Sequence, residues 1–419
     1  MNARAWNRIR GSGDLFERST TLRYLRDLWR ERLTSGGRWF FLVSGLFFGY
    51  GATSLELQTL VPLLYIGVLW GVAAFLLWVE RPRAELKVRH ALRTRAGETV
   101  PVECEVMACG ATAHDWWIAP HRLTVPLEVL PLHGAPVPVL RRDEQAKLHF
   151  QINAPRRGHY VLNGWRVETD FPFGLTVAAR TFKEKSTLLV HPRFTPLQYL
   201  SLPRGRRYHP GGVALVAARG ESMEYIGNRD WREGDEPRHI DWRATARLQM
   251  PVVREYREEY FLRAAVVLDT FSGDEKVAET FERAVSLCAA VAEYMAREDY
   301  LVDLFAAGPV LYHLTAGRGL AYLEQILDIL ACVESTHREA FETLEPELEQ
   351  HLAQINTIIC VFLDWTDKRR EFVQRLALQG AAIKVLIARD VPCSLESEKE
   401  GFEIKLIPRT YFESGVTEI

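Results

Sequence analysis

The chain lacks the short motifs that mark the common enzyme classes. It has no phosphate-cradling loop ending in Gly-Lys-Ser/Thr, no His-Glu-x-x-His pair and no Gly-x-Ser-x-Gly elbow. It also lacks a strong net charge, because 52 Lys and Arg oppose 54 Asp and Glu and leave a formal charge of -2. No overall field therefore favours nucleic acid. We expect a non-enzymatic protein that does not bind nucleic acid.

Cysteine is scarce, with six residues at positions 104, 109, 288, 332, 360 and 393. Most of them lie in apolar stretches, where a reduced cysteine behaves as a small hydrophobic residue. We therefore expect free thiols in a reducing compartment. Cys104 and Cys109, with His114 following, have a spacing that loosely resembles a metal site, but no second ligand pair follows at zinc-site spacing. We do not expect a metal ion there.

Positive charge is missing from one long stretch, since no Lys or Arg lies between Arg38 and Arg81. Two apolar runs fill it, at residues 39–55 and 57–79, and each is long enough, or nearly so, to cross the hydrocarbon core of a bilayer. We predict a transmembrane helical hairpin within residues 39–80. The apolar region begins too late and is too long for a cleaved signal peptide.

Basic residues flank the predicted hairpin on both sides. Residues 1–38 hold nine Arg against four acidic residues, and four more Lys or Arg lie between residues 81 and 89. The positive-inside rule therefore places both termini and the soluble domains in the cytoplasm. Within the basic arm (residues 1–38), Leu22, Leu25, Trp29 and Leu33 recur at helical spacing. The arm is either an amphipathic helix on anionic lipid or a solvated segment.

Three parts follow the hairpin, so we predict an α+β multidomain protein. Residues 84–195 contain short strand-like runs between Gly, Pro and polar turns, which predicts an antiparallel β-sandwich-like domain. Residues 196–260 contain a linker rich in Pro, Gly and Arg and then a charged segment. Residues 261–415 alternate strand and helix patterns, which predicts a doubly wound parallel α/β domain. We place its strands at 264–269, 300–306, 357–363, 382–387 and 402–407, and its helices at 276–297, 318–333, 338–353 and 366–379.

The charged segment (residues 228–247) combines five Arg and five acidic residues with Trp231 and Trp242. We predict Asp235 as a helix N-cap, since Glu236 and Pro237 follow it, and we expect Arg238 and Asp241 to share one helix face. Two hypotheses remain open. The segment is either a salt-bridge and cation–π clasp between the two soluble domains, or a docking surface for another protein. The candidate residues are Arg229, Trp231, Gly234, Asp235, Arg238, Asp241, Trp242 and Arg247.

Residues 232–247, which read REGDEPRHIDWRATAR, closely resemble the signature of the bacterial domain-of-unknown-function 58 (DUF58) family. The resemblance extends to PRRGHY at residues 155–160 and to DFPFGL at residues 170–175, where Phe171 is an insertion relative to the family turn. It implies a von Willebrand A-like domain in a membrane protein. In that family such proteins are commonly associated with a MoxR-type AAA+ ATPase.

The same resemblance raises the question of a bound cation. Von Willebrand A domains often hold Mg²⁺ through an Asp-x-Ser-x-Ser loop after the first strand. Here the loop begins at Asp269, but Phe271 and Gly273 occupy the two serine positions. The degenerate loop argues against Mg²⁺, and Asp269 and Asp364 are only weak candidate ligands.

Three functional hypotheses result. The leading one is a membrane-anchored adaptor or scaffold that binds a protein partner, a MoxR-type ATPase. The second is a metal-dependent hydrolase acting on envelope material, with Asp235, Asp241 and Asp269 as its carboxylates. The third is a structural envelope protein that associates with itself.

Overall fold

The computed structural model describes residues 29, 32–51, 57–79, 81–110, 112–121, 123, 126–131, 134–203, 223–258, 263–271, 278–307, 311–314, 320–336, 341–394, 402–414 and 418–419. Most of the predicted basic arm and of the linker after residue 203 lies outside these residues, as do Ser272 and Gly273 of the loop that begins at Asp269. The chain divides into two compact units between His191 and Pro192.

Two helices form where the apolar hairpin is predicted, α1 (Ser35–Gly51) and α2 (Leu57–Val79). They pack through Trp70, whose ring centroid lies 5.7 Å from those of both Phe40 and Phe41. The indole N–H of Trp70 also donates to the hydroxyl of Ser44 at 3.3 Å. Among the residues that the structure describes, no helix combines the length and the apolarity needed to cross a membrane.

The start of α1 is fixed by the turn at residues 170–175. The hydroxyl of Thr34 accepts from the Gly37 N–H at 2.8 Å and donates to the Gly174 carbonyl at 2.6 Å. Gly37 packs so closely that an added Cβ would lie 1.8 Å from the Leu175 carbonyl oxygen. Gly174 adopts a φ of 61°, a backbone conformation that glycine reaches without steric cost. This sequence motif therefore holds the first turn of the apolar pair.

Eleven described strands make three sheets in the first unit, and the predicted antiparallel pairing is confirmed. The sheet orders are β1-β3-β7-β5, β10-β9-β4-β6 and β2-β11-β8, and of the pairs only β2 with β11 is parallel. In β3, alternate residues from Val100 to Val106 are buried, as expected for a strand with one face on the core. The strands are β1 (Ala84–His90), β2 (Arg93–Arg95), β3 (Thr99–Ala108), β4 (Trp116–Pro120), β5 (Glu128–Leu130), β6 (Ala135–Pro136), β7 (Gln145–Asn153), β8 (Gly158–Leu162), β9 (Trp165–Thr169), β10 (Ala178–Phe182) and β11 (Ser186–His191).

The charged segment lies within an antiparallel hairpin (residues 223–258) of the second unit. Its strands are β12 (Met223–Asp230) and β13 (Val252–Glu258), with a bulge between Tyr225 and Gly227. The connection contains a 3₁₀ turn (Pro237–His239) and the short helix α3 (Trp242–Leu248). The segment is therefore a helix carried between two strands rather than an open loop.

The rest of the second unit contains the predicted α/β sheet, with every predicted strand and helix present within a few residues. The strand order is β16-β15-β14-β17-β18-β19. The chain first adds β15 and β16 on one side of β14 and then adds β17, β18 and β19 on the other, so the order of strand addition reverses between β14 and β17. The elements are β14 (Arg263–Leu268), α4 (Ala278–Arg297), β15 (Leu301–Ala307), β16 (Leu311–Leu314), α5 (Leu320–Cys332), α6 (Phe341–His351), β17 (Thr357–Phe362), α7 (Asp367–Leu378), β18 (Ala382–Ile387), β19 (Glu403–Leu406) and α8 (Arg409–Ser414).

The prediction of a purely parallel sheet was wrong at one edge. Strand β16 was not predicted, and it pairs antiparallel to β15. All four of its residues are only partly buried, and Tyr312 and His313 interrupt the apolar run between Leu311 and Leu314. The central strands have such runs because helices cover both faces. Leu268 on β14 packs in a core with α4 and α5, whereas the neighbouring Val267 packs in a second core with α6 and α7.

Candidate functional site

The geometry of the charged segment depends on a pair between Arg229 and Asp235. The guanidinium of Arg229, at the end of β12, donates two hydrogen bonds to the Asp235 carboxylate, at 2.7 and 2.6 Å. Asp235 also accepts from the backbone N–H of Arg232 at 2.8 Å. These hydrogen bonds, that from Arg229 first, lower the pKa of Asp235 to about 2. The tight turn between them uses Gly234 at a φ of 104°.

Asp241, not Asp235, caps the helix in this segment. Its carboxylate accepts from the backbone N–H groups of Arg243 and Ala244 at 3.1 and 3.0 Å, at the start of α3. The prediction of Asp235 as an N-cap was wrong, because Arg229 and the Arg232 N–H already use its oxygens. Asp241 also accepts from the Arg254 side chain on β13 at 3.3 Å. A backbone hydrogen bond from Ala244 is the main cause that lowers the pKa of Asp241.

The prediction that Arg238 and Asp241 share one helix face was wrong, because Arg238 lies in the 3₁₀ turn whereas Asp241 caps α3. Arg238 forms a salt bridge with Glu236, two residues away, and its side chain is largely exposed. The predicted cation–π stacking is also absent from the described residues, where no arginine lies over the ring of Trp231 or Trp242. Both tryptophan side chains are exposed.

The second predicted location is the carboxyl edge of the sheet, where Asp269 follows β14. Its carboxylate is buried and faces Arg369 of α7, whose Nε and Nη2 donate to Oδ2 at 2.9 and 2.6 Å. Oδ2 also accepts from the Leu363 N–H at 3.2 Å, and Oδ1 accepts from the Phe271 N–H at 3.0 Å. A guanidinium and two backbone groups thus use the oxygens that would face a metal ion. The protein itself supplies the cation at this position.

Asp364, which follows β17 at the same edge, is also engaged. It accepts from the Ser394 hydroxyl at 2.6 Å and from the N–H groups of Ser394 and Trp365 at 3.1 and 2.8 Å, and it forms a salt bridge with Arg389. Partial burial opposes ionisation, but these hydrogen bonds together hold its pKa below the ordinary value. Neighbouring Asp367 begins α7 and pairs with Arg370 at 2.8 Å.

Comparison with known proteins assigns part of the chain to a family. Residues 227–390 match the model of a family described as "Protein of unknown function DUF58". These residues form a DUF58 family domain. The match begins within the hairpin and runs through the sheet to β18, so the predicted resemblance is confirmed here. The DUF58 domain therefore contains both the charged segment and the two carboxylates at the sheet edge.

Two further similarities accompany the DUF58 match. The uncharacterized protein YeaD of Bacillus subtilis (strain 168) is 20% identical over 259 residues, a region that covers 62% of this chain and 63% of YeaD. Among solved structures, the CARDB domain of the PF1109 protein from Pyrococcus furiosus, in complex with di-metal ions, is 12% identical. That match covers 26% of this chain and 94% of the CARDB chain, with a TM-score of 0.17, which carries no structural argument.

The DUF58 domain also contains a group of residues that the sequence did not suggest. Among the described residues, the groups of three or more His, Cys, Asp or Glu side chains within metal-ligand reach of one another are limited to His313, Glu347 and His351. Asp235, Asp241 and Asp269 form no such group. The four-residue spacing of Glu347 and His351 on a helix was a readable signal. His313 lies on the unpredicted strand β16, so the third member had no signal.

Proposed function

We propose that this protein is a membrane-anchored adaptor whose DUF58 domain binds a cytoplasmic protein partner, a MoxR-type AAA+ ATPase. The observation that supports this most directly is a separation of roles within the charged segment. Arg229, Asp235, Asp241 and Arg254 bond to one another or to backbone within the hairpin. Trp242, by contrast, is 68% exposed. The charges hold the segment in shape, and the aromatic surface remains available.

The exposed surface has the composition of a binding hot spot. Leu248 and Met250 are exposed beside the end of α3, and Trp231 is exposed beside β12. Tryptophan and arginine are enriched among interface residues that dominate binding energy. A helix held by its N-cap and by two flanking strands loses little conformational entropy on binding. The segment therefore suits a preorganised docking surface better than a catalytic centre.

We also assign the α/β part of the DUF58 domain to the von Willebrand A-like class and the first unit to the β-sandwich-like class. The sequence reversal between β14 and β17, with an antiparallel edge strand β16, supports the first assignment. In open α/β sheets, such a reversal marks the place where ligands bind. Arg369 stands there against Asp269, so binding at this edge would not require Mg²⁺.

The anchor in this proposal is the helical pair α1 and α2, in the bacterial inner membrane with both termini in the cytoplasm. Helix α2 has 23 residues and none of them is charged. Large apolar side chains of the pair, among them Trp39, Leu46, Tyr65 and Trp78, are exposed in the structure. Water is a poor environment for such a surface, and a bilayer is a good one. The basic arm adds attraction to anionic lipid.

The partner is tested by binding the detergent-solubilised full chain to the purified MoxR-type ATPase of the same genome. Trp242→Ala should weaken binding by at least about tenfold, the range of a hot-spot residue. Leu378→Ala is the matched control, since Leu378 is an apolar residue 88% exposed on α7 of the same domain. Binding that responds equally to both variants, or an ATPase that does not bind the unmodified chain, would contradict the proposal. Asp241→Ala is less informative, because it also removes the N-cap of α3.

The anchor is tested with reporter fusions after residues 56 and 83. If α1 and α2 cross the membrane, alkaline phosphatase is active at the first position and inactive at the second. If the pair is embedded from the cytoplasmic side, both fusions are inactive, although the protein stays in the membrane fraction after an alkaline carbonate wash. Release of the unmodified protein into the soluble fraction would refute a membrane anchor of either kind.

A further inference from the structure

A histidine on the edge strand faces a glutamate and a histidine on the helix that covers it. His313 lies on β16, and Glu347 and His351 lie one turn apart on α6. Nδ1 of His313 is 3.1 Å from Oε1 of Glu347, and Nε2 of His351 is 3.9 Å from the same oxygen. One ligand atom from each residue lies within 4.8 Å of the other two.

These separations fit the donors of one metal ion. Two donors at about 2.0–2.1 Å from a tetrahedral Zn²⁺ lie about 3.3 Å from each other. The observed 3.1 and 3.9 Å fall on either side of that value. The His351 ring is partly exposed, so it can rotate by the small amount required. Two imidazoles with one carboxylate are a ligand set that suits Zn²⁺ and related transition metals.

The surroundings hold the first of these ligands in place. The His313 ring stacks on Phe305, with centroids 4.4 Å apart and planes inclined by 12°. The His351 ring lies beside it at 4.7 Å. Nε2 of His313 is buried and has no hydrogen-bond partner among the described residues, whereas Nδ1 faces Glu347 at 3.1 Å. The packing therefore presents Nδ1 as the nitrogen available to a metal ion.

We propose that the DUF58 domain binds a divalent transition metal ion of the Zn²⁺ class through His313, Glu347 and His351. The ion would tie β16, the antiparallel edge of the sheet, to α6 and leave at least one coordination position open. The site is distinct from Asp269, and a partner or substrate group could complete it. Outer-shell partners contribute about 10- to 100-fold to metal affinity, and Nε2 of His313 has none among the described residues, so we expect weaker binding, by about that factor, than at a site whose histidines have such partners.

The test titrates the chelator-treated full chain, purified without a polyhistidine tag, with ZnCl₂ in a calorimeter. We expect one ion per chain. His351→Gln should weaken binding by at least about tenfold, as should Glu347→Gln. His149→Gln is the matched control, because His149 is exposed in the first unit and belongs to no such group. Co²⁺ should give the intense visible absorption of a tetrahedral ion with the unmodified chain and not with His351→Gln.

Each outcome decides the proposal. Loss of binding in His351→Gln, with circular dichroism unchanged and with His149→Gln unaffected, supports the site. His351 is the first choice because its ring is more exposed than the stacked His313, so its replacement disturbs the core least. Absence of saturable Zn²⁺ binding would overturn the proposal, and so would binding that survives both His351→Gln and Glu347→Gln. Either result would leave His313 hydrogen-bonded to Glu347 beside the His351 ring, without a metal ion.

Discussion

Replacing Arg369 with Met removes the cation from a buried carboxylate at the switch point of the sheet. The side chains of Arg369 and Asp269 are 5% and 1% exposed, so solvent cannot replace the lost partner. Met preserves much of the aliphatic volume, which limits the cavity left behind. Loss of one member of a buried pair costs about 3–5 kcal/mol in unfolding free energy. We expect Arg369→Met to cost a similar amount at pH 7.

Hydrogen exchange of the β14 and β17 amides in the full chain measures this cost, because it reports opening of the sheet without assuming a single unfolding transition. Arg370→Met is the matched control on the same helix, where an exposed pair contributes about 0–1 kcal/mol. Adding Asp269→Asn to Arg369→Met should restore at least half of the loss. A loss below about 1 kcal/mol in Arg369→Met, or a loss that is just as large when Asp269→Asn is added, would refute the reasoning.

Two further predictions concern titration. Because the pKa of Asp235 is lowered to about 2, its bond to Arg229 should protect the hairpin above about pH 4 and lose that effect as pH falls toward 2. Asp235→Asn should remove this acid-dependent step from hydrogen exchange of β12, and an unchanged step would contradict the assignment. Burial raises the pKa of Cys104 and of Cys288 to about 12, so iodoacetamide at pH 8 should modify exposed Cys332 first in the native chain. Mass spectrometry measures the order, and early labelling of Cys288 would contradict the packing around α4.

How much of the fold could be predicted from the sequence depended on burial. Strands β14, β17 and β18 were found within one or two residues because their residues are almost all apolar and buried on both sides. Strand β16 was missed because its four residues are half-buried and include Tyr312 and His313. An antiparallel edge strand needs no crossover helix, so nothing in the surrounding pattern required it.

The candidate site could be predicted less well, because its bonds join distant residues. The charged segment was found from composition, but composition could not assign Asp235 to Arg229 and Asp241 to the cap of α3. Local spacing indicated Asp235 as the cap, and only the turn geometry shows that Asp241 has that role. Arg369 lies 100 positions from Asp269 and meets it only because β14 and β17 are neighbours. Local sequence spacing therefore could not predict that pair.

The pair of Asp269 with Arg369 also limits how the sheet edge can be regulated. A bound metal ion can be removed or exchanged, but a guanidinium is permanently charged and covalently attached to α7. Moving Arg369 together with its helix would displace α7, which packs through Phe372 and Val373 in the core beneath β17 and β18. Such movement requires breaking that core, whereas a docking surface on α3 needs no rearrangement of the sheet. For this reason we expect the partner to bind at Trp242 without any rearrangement of the α/β sheet.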